Sequence, residues 1–167
     1  LILYNIPKKE TIKRLYNKDF GIENAIFTHS SQVILCSSSR DFRIMYWNLH
    51  NNEVIYSFLG HTDLISDLTI NPKDDTFLSV SQDKTSRLWD LNGYKCLGIF
   101  QESTHSCFDN TGDVISSVFT VTKDGRSLSY INLYNSKDFH GGNFNIFIVE
   151  DTFIRQVKFS NDGVHIF

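Results

Sequence analysis

The sequence predicts an all-β chain assembled from repeated four-stranded units, and three observations carry that prediction. Apolar residues alternate in short runs instead of recurring every three or four positions, as an amphipathic helix would require. The runs are rich in β-branched and aromatic residues, and turn clusters separate them: Asn71-Pro72-Lys73-Asp74, Asn92-Gly93, Asp109-Asn110-Thr111-Gly112 and Ser160-Asn161-Asp162-Gly163. The third observation is internal similarity. VILCSSSRDFRIMYWNL (Val33 to Leu49) lies over DTFLSVSQDKTSRLWDL (Asp75 to Leu91) without a gap, at an offset of 42 residues.

Taken in order, Leu1 to Asn5 reads as the third strand of one unit. Val33 to Ser37 and Thr76 to Ser81 read as second strands, Thr85 to Leu91 as a third strand, and Phe153 to Phe159 as a first strand. Val164 to Phe167 reads as a second strand. The alignment brings Ser37 onto Ser79, Ser39 onto Ser81, Asp41 onto Asp83, Trp47 onto Trp89 and Phe58 onto Phe100. A fainter third copy ends with Ile131-Asn132-Leu133 where Trp89-Asp90-Leu91 would fall. The expected units are 1–17, 18–59, 60–101, 102–148 and 149–167, the first and last of them partial. Within Asn135 to Asp151, the run NSKDFHGGNFNIFIVED is either an inserted loop or a strand with a bulge.

A period of about 40 to 45 residues, four short strands per unit and a Gly60-His61 … Trp89-Asp90 signature resemble the WD-repeat propeller family. The resemblance implies a partial β-propeller of about three blades plus two partial blades. A ring of this kind needs more blades than that, so the chain reads as part of a longer protein.

Composition narrows the function classes. The chain has 167 residues, 41% of them hydrophobic, which is enough to bury a sizeable core. A net charge of −3 supplies no basic field to neutralise phosphates, so direct nucleic-acid binding is not expected. Cys36, Cys96 and Cys107 have no CxxC spacing and suit free thiols in a reducing, intracellular compartment. No apolar run reaches the roughly 18 to 20 residues that span a bilayer, so no membrane partner is expected.

His61, Ser79 and Asp83 pose a choice between catalysis and scaffold. A hydrolase needs an exposed nucleophile, an oxyanion hole and a cleft, yet Ser79 falls mid-strand without a GxSxG elbow. The alternative is a hydrogen-bonded chain in which Trp89 meets Ser79, Ser79 meets His61 and His61 meets Asp83, tying strands of one blade together. In the first copy Asp19 stands where the histidine should be. His29, His50, His105, His140 and His165 are scattered without metal-ligand spacing, and Gly141-Gly142 precedes no helix. No metal, cofactor or catalytic residue is expected.

Propellers present loops on their faces. One face should carry Asp19, Arg40, Thr62, Asp63, Gln82, Lys84 and Lys123, with Arg40 and Gln82 at the same position of successive repeats. An arginine there suits a phosphate or carboxylate, or is simply a solvated rim charge.

A finer resemblance rests on PKDDTF (Pro72 to Phe77), DKTSRLWDL (Asp83 to Leu91), Cys96-Leu97-Gly98 and CFDNTG (Cys107 to Gly112), which occur in that order. They are similar to the WD-repeat subunits shared by the COMPASS histone lysine methyltransferase complex and the RNA 3′-end processing and phosphatase machinery. This implies a non-enzymatic nuclear adaptor. Its implied partners are a histone methyltransferase subunit, a phosphatase scaffold and the phosphorylated C-terminal repeat of RNA polymerase II. The alternative is a WD-repeat adaptor in another pathway, such as ubiquitin ligation or trafficking.

Overall fold

Each turn cluster closes an antiparallel hairpin, and successive hairpins join into separate sheets. The computed structural model describes residues 1–15, 21–123 and 126–167. Strands β1 (Ile2–Asn5) and β2 (Glu10–Arg14) form a two-stranded sheet. Three four-stranded sheets follow: β3 (Ile22–Phe27), β4 (Val33–Ser38), β5 (Ile44–Asn48) and β6 (Glu53–Phe58); β7 (Ile65–Ile70), β8 (Thr76–Ser81), β9 (Thr85–Asp90) and β10 (Lys95–Gln101); β11 (His105–Phe108), β12 (Val114–Lys123), β13 (Arg126–Asn135) and β14 (Asn143–Glu150). Within each, strands pair in sequence order, so every connection is short and each sheet is a local meander. The set is an open β-propeller: the sheets do not close into a ring.

The turns repeat their backbone geometry as well as their sequence. Lys9 (φ 54°), Asn52 (φ 62°) and Tyr94 (φ 51°) take left-handed conformations in the hairpins β1–β2, β5–β6 and β9–β10. Phe42 (φ 58°) and Lys84 (φ 64°) do so in β4–β5 and β8–β9. A left-handed residue lets a short loop follow the right-handed twist of its strands.

The core lies between sheets, not inside one. Leu35, Ile44 and Phe58 of the first sheet pack with Ile65, Leu68, Phe77, Trp89 and Leu91 of the second. Leu78, Leu88 and Phe100 of the second pack with Phe108 and Ile115 of the third. Burying each such side chain contributes about 1.5 to 3 kcal/mol. Because second strands are covered on both faces, β4 (VILCSS) and β8 (TFLSVS) share one burial pattern, buried at every position after the first. Asparagines add polar ties between sheets. Asn24 Nδ2 donates to Ile65 O (2.8 Å), Asn71 Nδ2 to Gly112 O (3.1 Å) and Asn110 Nδ2 to Ser160 O (2.7 Å). Gly112, at φ 73°, admits the second of these, since a Cβ there would lie 2.0 Å from Asn71 Oδ1.

Two expectations change. Neither Phe153 to Phe159 nor Val164 to Phe167 is a strand: only Phe159 and Ile166 are bridged, to each other, and Lys158 and Phe167 exchange N–H···O bonds of 2.9 and 3.0 Å. A strand requires a neighbour to take its backbone groups, and residues 153–156 have none in the sheets described. The segment Asn135 to Asp151 resolves into a short 3₁₀ turn, Phe139–Gly141, and strand β14, with a register shift between Leu133 and Tyr134. The third sheet therefore runs to Glu150, two residues past the expected boundary at 148. Phe139 folds back onto the second sheet, where a Cβ on Gly98 would lie 2.3 Å from its ring.

Candidate functional site

Ser79 lies in the middle of β8, fully buried. Trp89 on β9 pairs with Phe77, two residues before it, so the indole runs along β8 toward the hydroxyl. Trp89 Nε1 donates to Ser79 Oγ at 2.8 Å. Ser79 Oγ is 2.7 Å from His61 Nε2, and His61 Nδ1 is 2.8 Å from Asp83 Oδ2. The proton positions follow from chemistry. A carboxylate only accepts, so His61 Nδ1 carries the hydrogen, the neutral ring's Nε2 accepts the Ser79 O–H, and the Ser79 oxygen accepts the indole N–H. Every polar hydrogen in the chain is used.

Asp83 is held by more than the histidine. Its Oδ1 accepts the Thr85 N–H (2.8 Å) and Thr85 O–H (2.7 Å), and Oδ2 also accepts the Thr62 N–H (3.1 Å). Burial would raise its pKa, but the bonds from Thr85, His61 and the backbone outweigh burial and hold it at about 2. His61 responds in the other direction. Burial lowers its pKa, Asp83 offsets this only in part, and the imidazole side chain is 1% exposed, so it is neutral at pH 7. Gly60 makes room beside it: a Cβ there would meet Arg87 Nη1 at 2.3 Å, where the guanidinium lies 5.9 Å over the Trp89 ring.

The same place in the other two sheets is filled differently, and here the gap-free alignment is corrected. Trp47 pairs with Ile34, so the residue corresponding to Ser79 is Cys36, not Ser37. The β4–β5 turn is one residue longer than alignment allows for. Ser37 Oγ instead accepts the Asn24 N–H at 3.1 Å, and Trp47 Nε1 is buried without a hydrogen-bond partner. The triple serine Ser37-Ser38-Ser39 made either register look acceptable in sequence. In the third sheet, Ile115 pairs with Tyr134 as Phe77 pairs with Trp89. The aromatic position is therefore Tyr134, three residues beyond Ile131. Tyr134 packs on Phe100 (4.9 Å between centroids) as Trp89 packs on Phe58 (5.5 Å). Its serine is Ser117, whose Oγ meets Ser103 Oγ at 2.9 Å within a buried cluster that includes Ser86 and Ser106.

Sequence reasoning missed Thr85 and this serine cluster. Thr85 follows Asp83 by two residues, the spacing of a local side-chain turn, and could have been found. The cluster joins β9, β11, β12 and the loop before β11, and has no local signal.

The expected face residues fall as follows. Thr62 and Asp63 are in the loop entering β7; Gln82 and Lys84 are in the β8–β9 turn, tied to that loop by Gln82 N–H donating to Leu64 O at 2.8 Å. Thr62, Gln82 and Lys84 are exposed and Asp63 half-buried. Arg40 is exposed in the β4–β5 turn, at the corresponding end of the first sheet. It does not match Gln82, because Ser39 N–H donates to Gly21 O (3.1 Å) as Gln82 does to Leu64 O, and Arg40 belongs to the longer turn. Lys123 ends β12, opposite Arg126. Asp19 lies outside the described residues. Among the described residues, no group of three or more His, Cys, Asp or Glu side chains is placed to share a metal ion.

Comparison with known proteins agrees with this architecture. The WD domain, G-beta repeat, matches residues 52–90, from the end of the first sheet to the Trp89-Asp90 pair. The chain is 34% identical to COMPASS component SWD2 of Saccharomyces cerevisiae, over 98% of its own length and 50% of that protein. It is 33% identical to Set1 complex component swd2 of Schizosaccharomyces pombe, over 99% and 47%. To WD repeat-containing protein 82 of Drosophila melanogaster it is 32% identical, over 98% and 51%. The chain thus spans about half the length of the curated relatives it matches. With four-stranded sheets in series, the Gly-His and Trp-Asp pairs joined through one serine, and these similarities, the chain belongs to the WD40-repeat family.

Proposed function

We propose that this chain is part of a non-enzymatic scaffold subunit of a nuclear complex that methylates histone lysines. The observation that carries the reading is similarity over 98–99% of the chain to proteins named as components of the Set1 complex and of COMPASS. The state of Ser79 supports a structural tetrad over a hydrolytic one. The order Ser–His–Asp matches a catalytic relay, but the hydroxyl is buried and its oxygen is occupied by the indole N–H. The tetrad serves to hold β8, β9 and the Gly60-His61 loop in one register, so that the loops at that end are presented preformed and lose little freedom on docking.

On this reading the loop face with Arg40, Thr62, Asp63, Gln82, Lys84, Lys123 and Asp19 meets protein partners: a methyltransferase subunit, a phosphatase scaffold and the phosphorylated C-terminal repeat of RNA polymerase II. Affinity purification of the full-length protein from nuclear extract tests it. A methyltransferase subunit or phosphatase scaffold should co-purify, and binding to polymerase-repeat peptides should require their phosphates and weaken in Arg40→Glu/Lys84→Glu. Recovery of ubiquitin-ligase or trafficking components alone would replace this reading with that of an adaptor in another pathway.

A further inference from the structure

Strand β14 is the outer edge of the third sheet, and beyond the register shift near its start it carries little that keeps such an edge from pairing. Its sequence, NFNIFIVE, holds no Pro and no Lys, and its single charge, Glu150, is at one end. Eight residues long, it exceeds the outer strands β6 and β10, of six and seven. Ile146 and Ile148 alternate along it past the shift and so share one face; they are 48% and 58% exposed, and Phe144, at the shift itself, is 61% exposed. That face continues across the sheet, since Ile148 pairs with Tyr130, and Tyr130 stacks on Phe119 at 4.7 Å. Asn145 Oδ1 accepts the Ile146 N–H at 2.9 Å, a local substitute for a neighbouring strand.

We propose that β14 pairs antiparallel with β14 of a second copy of this chain, joining the two third sheets into one continuous eight-stranded sheet. The strand is self-complementary in the way a two-fold contact demands. Antiparallel edge pairing places the two-fold axis perpendicular to the sheet, so residues opposite one another must lie on the same face. Centring the axis on Ile146 satisfies this: Ile146 meets itself, Phe144 meets Ile148 of the other copy, and Glu150 stands clear of its own counterpart. The Ile146 and Ile148 side chains of both copies then share one face, with each Phe144 at its margin. The three exposed side chains offer on the order of 300 Å² per copy, so the contact with its backbone bonds sits at the small end of specific interfaces. A dissociation constant of about 1 to 100 µM is expected.

Sedimentation of the full-length protein from about 1 to 200 µM should show a reversible monomer–dimer equilibrium. Ile146→Lys should weaken it at least tenfold, while Val121→Lys, exposed elsewhere on the same sheet, should leave it unchanged. Ile146→Cys, with oxidised glutathione, should form a disulfide across the axis, since opposed Cα atoms lie about 4.5 to 5.5 Å apart. Ile148→Cys should not, its two copies being about 13 Å apart in this register. A protein monomeric throughout, a dimer indifferent to Ile146→Lys, or cross-linking at 148 and not at 146 would each overturn the proposal. Capture of another protein's strand by a monomeric chain would do the same.

Discussion

Replacing Ser79 with alanine removes one oxygen and strands two buried groups. Trp89 Nε1 loses its acceptor at 2.8 Å, and His61 Nε2 loses its donor at 2.7 Å. The site is fully buried, so water cannot enter to replace either bond. Each orphaned group costs about 1 to 3 kcal/mol, and coupling through the ring to Asp83 puts the total at about 2 to 5 kcal/mol. For a domain of this size that is a fall of roughly 5 to 15 °C in Tm. Urea unfolding of the full-length protein at pH 7, followed by tryptophan fluorescence and circular dichroism, measures it. Trp89→Phe removes the indole N–H, so the cycle of Ser79→Ala with Trp89→Phe should show a coupling of at least about 1 kcal/mol. A Ser79→Ala loss below about 0.5 kcal/mol, or additivity in the cycle, would refute the reasoning. The first sheet sets a bound on it, since that sheet folds with Trp47 Nε1 unpaired.

The other predictions concern that orphan and acid. Cys36→Ser should supply Trp47 Nε1 with the acceptor that Ser79 gives Trp89, raising stability by about 0.5 to 1 kcal/mol; the gain should vanish in a Trp47→Phe background, and a loss in both backgrounds would show that the registers do not correspond. Lowering pH should destabilise the fold in two windows, because His61 and Asp83 both have folded pKa values below their unfolded ones and the unfolded chain then binds more protons. The His61 contribution is fully present above its unfolded pKa of about 6.5 and is lost as pH falls toward its lower folded value. The Asp83 contribution is lost as pH falls from its ordinary, unfolded value of 3.8 to about 2. His105, also lowered by burial, acts in the first window. The stability difference between pH 7 and pH 5.5 should therefore shrink in His61→Asn without disappearing, and an unchanged difference would count against a neutral buried His61.

Much of the architecture was legible because it is local. Period-two alternation, Asx and Gly turns, and a 42-residue repeat specify hairpins one at a time, and neighbouring strands in each sheet are neighbours in the chain. The tetrad was legible for the same reason, since all four members lie within residues 61–89 and three are on consecutive elements. Two things escaped. A strand needs a partner, so the β-branched run Phe153 to Phe159 could not declare itself unpaired. Register between copies also escaped: one additional turn residue near Arg40 and a hairpin lengthened in β12–β13 change which side chains are opposed without changing composition.

By itself the sequence determined the fold class, the order of strands, and which blade could carry a complete Trp–Ser–His–Asp chain, because each depends on residue type and short spacing. Tertiary structure alone decided that Cys36 and Tyr134 occupy the serine and tryptophan places of their sheets, and that Ser103 gathers hydroxyls from three segments. It also decided that β14 stands exposed at an edge. These outcomes follow from pairing and packing between segments far apart in the chain, where the number of residues between two strands, and not their identity, sets who faces whom.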